Sequence, residues 1–232
     1  MVKSSPRLFH RAFTLIELLV VMVIIAILAA LAVSAYRVVL ERARATKDAS
    51  NLRQIGTLLQ TYLNDNDQIL PATATWPGTS AGPTPNPGLY PKYVATRKVF
   101  QSPFDKRPAS EAPDDTPPIS YSINANMYAL VGGSMLKVVS PASTFLMAPN
   151  YPNGSGDPGN SASWPGTAGN APDLPVGGNG ETKGTHINGS QINVLFCDFH
   201  TETLKFGPTG TAGTFQDKTS DPLGLKHWDP TK

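Results

Sequence analysis

The chain has 232 residues, a formal net charge of +2, one cysteine, 20 glycines and 22 prolines. A single cysteine excludes an intramolecular disulfide, so a domain working outside the cytoplasm holds together by packing alone. The scattered Lys and Arg argue against a nucleic-acid face, and without Gly-x-Ser-x-Gly, His-Glu-x-x-His or a phosphate loop neither enzyme chemistry nor a cofactor is expected.

Residues 1–12 carry Lys3, Arg7 and Arg11 and no acid, the polarity of a cytoplasmic end. From Ala12 to Tyr36 the only charge is Glu17. At about 1.5 Å per residue, a helix from Leu18 to Tyr36 crosses most of a ~30 Å hydrocarbon layer. A carboxylate costs roughly 2.5–3.5 kcal/mol at the centre of such a helix and less near the interface, so Glu17 calls for a partner. Phe13 lies one helical turn before it. A cut between Ala12 and Phe13 creates an α-amine there, and the amine of one copy can meet the carboxylate of its neighbour.

The run Ala12-Phe13-Thr14-Leu15-Ile16-Glu17, followed by an unbroken apolar helix, resembles the type IV pilin and type II secretion pseudopilin family. The resemblance implies that a membrane prepilin peptidase removes residues 1–12 and methylates the new amine at Phe13, with Glu17 as the assembly carboxylate. It also implies a single pass through the inner membrane, N-terminus cytoplasmic and C-terminal domain periplasmic, then packing with copies of itself or other pilins into a pilus or pseudopilus. The family usually has Gly before the cut; Ala12 is still small, and slower cutting is expected. A secretory signal cleaved after Ala30-Leu31-Ala32 competes, but the apolar run is longer than a typical h-region of ~7–15 residues and begins with an acid.

Within the span, residues 13–36, Ala26, Ala30 and Ser34 recur every four residues and make a small-residue face for helix packing. The family often has Gly and Pro where this chain has Ala26 and Ser34, so a straighter, continuous helix is expected. The flank after Tyr36 mixes Arg37, Arg42, Arg44 and Lys47 with Glu41 and Asp48. Residues 37–64 then read as an amphipathic spine: Leu52, Ile55, Leu59, Tyr62 and Leu63 follow 3-4 spacing. Asn64-Asp65-Asn66-Asp67 and Pro71 end it.

The remainder, residues 65–232, makes one modest domain, and the fold class is α+β: the long helix packed on a small antiparallel sheet with Pro/Gly-rich loops. From Pro71 to Pro118 eleven prolines fall in 48 residues, which excludes a central strand or a long helix. The island Gly88–Ala95 and Val99-Phe100 are expected to pack on the spine. The island followed by Gln101-Ser102-Pro103-Phe104-Asp105 resembles a subgroup of large pseudopilin-like proteins with Cys-Pro-Ser-Asp here; Ser102 stands in the Cys position. Tyr121–Tyr128, Leu136–Val139 and Thr144–Ala148 read as strands or extended pieces. Residues 150–189 read as a surface insertion holding ten of the glycines.

Ile192–Phe206 reads as a hairpin. The same subgroup has a His, then Asn-Val-Leu-Phe-Ala-Asp-Gly-His; this chain has His186 and Asn193-Val194-Leu195-Phe196-Cys197-Asp198-Phe199-His200. Phe199 replaces a glycine suited to φ > 0, so a looser turn is expected, with Phe199 turned onto the core. His186, Cys197, Asp198 and His200 are metal-ligand types, but neighbouring strand residues point to opposite faces, so no metal is expected there. Asp217, Asp221 and Asp229 are weak calcium candidates without ligand spacing. Asp114-Asp115 sits in a proline-rich loop that orients nothing, and Trp228 is expected to clip the tail to the body. The alternative function is a single-span anchored binding module for glycans, using Tyr151 and Trp164.

Overall fold

The computed structural model describes residues 14–71, 88–90, 92–105, 119–124, 126–149, 184–187, 189–207 and 227–232. The apolar run and the amphipathic stretch form one uninterrupted helix, α1 (Leu15–Asp65), with no Gly or Pro before Gly56 to weaken it. The chain divides into two compact units, residues 1–41 and 42–232. In the first unit the described side chains from Leu15 to Leu40 are exposed, Leu15 at 84% and Leu31 at 66%. By length and composition this part of the helix is apolar enough to cross a membrane, and none of its most apolar stretch is buried.

In the second unit α1 becomes the spine of the domain. Leu52, Ile55, Leu59, Tyr62 and Leu63 are buried in a core shared with Leu89, Val99, Phe100, Ile123, Met147 and Leu195. The helix ends where Asp67 and Gln68 take left-handed φ of 51° and 59°, and the Asn66 side-chain amide donates to the Tyr62 carbonyl at 2.7 Å. Asn and Asp suit such an ending because their short polar groups bond the local backbone.

The sheet is antiparallel, in the order β1 (Tyr121–Ile123), β2 (Phe145–Pro149), β3 (Gln191–Phe196), β4 (Thr201–Lys205). This is the α+β, pilin-like architecture the patterning called for. Two extended readings need correction. Asn126–Ala129 is a short helix, α2, because the Asn124 side chain accepts from the Asn126 N–H and turns the chain. Met135–Lys137 is a 3₁₀ turn, entered through Gly132 and Gly133 at φ of 64° and 78°.

Ile192–Phe196 is buried on both faces, as its near-continuous apolar run dictates. Leu195 lies in the core under α1, whereas Ile192, Val194 and Phe196 join Phe145, Ala148 and Trp228 in a second core on the other face. The tail closes this second core. Trp228 meets Phe145 edge-on at 5.0 Å, and the His227 ring stacks on Phe145 at 4.7 Å. The Trp228 carbonyl accepts from Asn124 and Asn126, and His227 Nδ1 donates to the Ser143 carbonyl at 2.6 Å.

Candidate assembly site and the buried anchor of the helix

Glu17 sits in the first turn of α1 with an intrachain partner that the sequence reading overlooked. The Thr14 N–H and hydroxyl donate to Glu17 Oε2 at 2.9 and 2.7 Å, and Thr14 Oγ1 lies 3.3 Å from the Glu17 N–H. This is a reciprocal capping box, and its signal was the Thr-x-x-Glu spacing. It holds the carboxylate at the helix start, where the exposed backbone N–H groups favour negative charge. Ala12 and Phe13 lie outside the described residues. Ala26 and Ala30 are exposed on α1; Ser34 belongs to the same helix, and its side chain lies outside the described residues.

A second constellation fastens α1 to the domain. Asp48 is fully buried, on the same stripe as Leu52, Ile55 and Leu59. Its Oδ1 accepts from the Ser102 hydroxyl at 2.6 Å and the Tyr121 hydroxyl at 2.7 Å, and its Oδ2 from the Asn193 amide at 2.9 Å. Asn193 also donates to the Ala45 carbonyl and accepts from Thr203 Oγ1. The Ser102 N–H donates to Ser120 Oγ, which donates to the buried Asp105 at 2.7 Å. Helix, loop, β1 and β3 thus meet at one carboxylate. Burial raises the Asp48 carboxyl above its ordinary range, against the three donors that favour its ionised form. Burial, followed by the neighbouring Asp48 charge, lifts the Tyr121 phenol well above its ordinary value. Patterning missed Asp48 because an acid on an apolar stripe reads as a break in the stripe rather than as its anchor.

The four metal-type residues do not converge. Cys197 is buried with Sγ 3.8 Å from Met127 Sδ, Asp198 pairs with His200 Nδ1 at the exposed turn, and His186 is buried and stacked on Phe104. No group of three or more metal-type side chains gathers among the described residues. Asp229 accepts from the Thr231 N–H and hydroxyl. Asp114, Asp115, Tyr151, Trp164, Asp217 and Asp221, with most of the 150–189 insertion, lie outside the described residues.

Residues 8–33 match the prokaryotic N-terminal methylation motif. The chain carries that motif. It supports a type IV pilin-like or pseudopilin substrate of prepilin peptidase, and with the apolar helix it fits membrane anchoring through the first unit. Comparison with curated proteins and with solved structures returned no match.

Proposed function

We propose that the protein is a structural subunit rather than an enzyme. It is inserted once in the inner membrane with its leader inside and its domain in the periplasm, cut between Ala12 and Phe13, and methylated at Phe13. It then packs through α1 into a type IV pilus or type II secretion pseudopilus with copies of itself or other pilins. The observation that supports this best is Glu17: the one charge of the exposed apolar run from Leu15 to Tyr36, placed at the start of α1 within the methylation motif. Thr14 satisfies it in the single chain. Cleavage supplies a cationic amine, and a charge-assisted bond to that amine in an apolar setting outcompetes a neutral hydroxyl. Ala26 and Ala30 leave room for a neighbouring helix to approach.

The test combines mass and assembly. The native protein is expected to begin at Phe13 with a methylated amine. Glu17→Ala is expected to leave that mass pattern unchanged, apart from the substitution, while filaments or crosslinked multimers fall to background. Normal assembly of the variant, or a native protein that starts at Met1 or Val33, refutes the proposal.

A further inference from the structure

Two cations of the domain pair with acids, Lys92 3.2 Å from Asp65 and Lys232 3.9 Å from Asp229, whereas the exposed Lys98 and Lys137 have no salt-bridge partner among the described residues. Arg42, Arg44 and Lys47, at the start of the second unit, are all exposed, and none has a carboxylate within salt-bridge distance among the described residues. Asp48, next in sequence, is turned inward onto Ser102, Tyr121 and Asn193, so its carboxylate is withdrawn from the surface they occupy. With Asp48 turned inward and Glu41 half-buried, the surface of this mixed flank carries a cationic excess.

The three positions fall on two sides of the helix, Arg42 on one, and Arg44 with Lys47, about 60° apart, on the other. At about 100° per residue, Arg44 lies roughly 160° and Lys47 roughly 140° around the axis from Arg42. A folded protein partner reads one face of a helix, whereas a layer of lipid headgroups meets it on every side. The three follow Tyr36 by six, eight and eleven residues of the same helix. At about 1.5 Å per residue they follow the apolar run along that helix by roughly 9, 12 and 16 Å, just beyond the headgroup layer and one to two screening lengths of ~8 Å from its inner edge. Long Arg and Lys side chains reach back toward such a layer.

The geometry points to a collar, Arg42, Arg44 and Lys47, that binds the anionic headgroups of the bilayer crossed by the apolar run. It rests on the reading of α1 as a membrane anchor, and not on filament assembly. A cation near an anionic surface contributes about 1 kcal/mol, close to fivefold in binding, and less with distance, so Arg42 and Arg44 carry most of the enrichment and Lys47 adds to it.

The experiment uses the full chain in nanodiscs holding equal parts phosphatidylcholine and phosphatidylglycerol, with native mass spectrometry counting the lipids that stay bound on release. Wild-type protein is expected to retain phosphatidylglycerol several-fold over phosphatidylcholine. That ratio should fall toward unity when salt is raised from about 0.15 M to about 1 M before release, as the screening length shrinks from ~8 to ~3 Å. R42Q/R44Q/K47Q should lose the enrichment, R42K/R44K should keep it, and K98Q/K137Q, which removes two exposed charges elsewhere, should keep it. Equal retention of both lipids by wild type, or undiminished enrichment in the triple glutamine variant, overturns the collar, and the salt arm reads the same property without any substitution. Failure here with normal Glu17-dependent assembly removes the collar alone. Lipid enrichment without assembly removes the filament reading alone.

Discussion

Phe199 shows how a single residue can satisfy two demands that compete. The turn joining β3 to β4 is closed by the Phe196 N–H to the His200 carbonyl at 3.0 Å, and it holds Phe199 at φ 68°. The turn is therefore as tight as a glycine would make it, which corrects the expectation of a looser one. The backbone takes the left-handed strain, roughly 1–2 kcal/mol for a residue with a Cβ, because the ring gains the core. It packs against the main core, and its Cβ lies 3.7 Å from where a Cβ on Gly56 would stand. Both halves of this trade are measurable by urea denaturation. Phe199→Ala keeps the strain and loses the packing, so it is expected to destabilise by about 2–4 kcal/mol. Phe199→Gly loses the packing and relieves the strain, so it should be the more stable of the two by about 1 kcal/mol. The reverse order removes strain from the account.

At the scale of elements, what was legible in advance follows from how locally each signal is written. α1 and the β3–β4 hairpin were visible because their periodicity lies within a short stretch of sequence: Leu52, Ile55 and Leu59 on one stripe, Ile192 to Phe196 in one run. The capping box at Thr14 is equally local, written in the Thr-x-x-Glu spacing alone. The anchor at Asp48 was not legible, since its donors Ser102, Tyr121 and Asn193 lie 54 to 145 residues away and only folding brings them together. Two of those donors, Ser102 and Asn193, stand at positions singled out by likeness to the large pseudopilin-like subgroup, where the likeness gave no role for them. The tail belongs to the same lesson: Trp228 could be named as a clip, but the cleft that takes it is built from Phe145, Asn124 and Asn126, far away in sequence. Trp228→Ala is expected to cost about 3–5 kcal/mol and to lower the urea midpoint accordingly. Trp228→Phe, which keeps an aromatic body in the second core, should recover more than half of the loss. If the alanine variant melts like wild type, the tail is not part of the domain's cooperative unit.

For the molecule as a whole, the Asp48 anchor gives stability a pH dependence of definite sign. Burial raises its folded pKa above the unfolded value of about 3.9, so the folded state binds the proton more tightly than the unfolded one. The contribution is fully present below the unfolded pKa and is lost as pH rises through the folded pKa. Urea titrations of the full chain in detergent, from pH 4 upward, should therefore show Asp48→Asn gaining on wild type with pH. Its amide mimics the protonated acid and does not titrate. Asp48→Ala strands the Ser102, Tyr121 and Asn193 donors and should cost about 2–5 kcal/mol throughout. If wild type instead gains on Asp48→Asn as pH rises, the three donors outweigh burial and the carboxyl is held charged. A last consequence follows from Cys197, the only sulfhydryl in the sequence, buried 3.8 Å from the Met127 sulfur. In the filament proposed above, subunits packed side by side would present no Cys197 thiol at their surfaces to one another. Such an assembly would hold together without covalent links between its members and stay open to exchange.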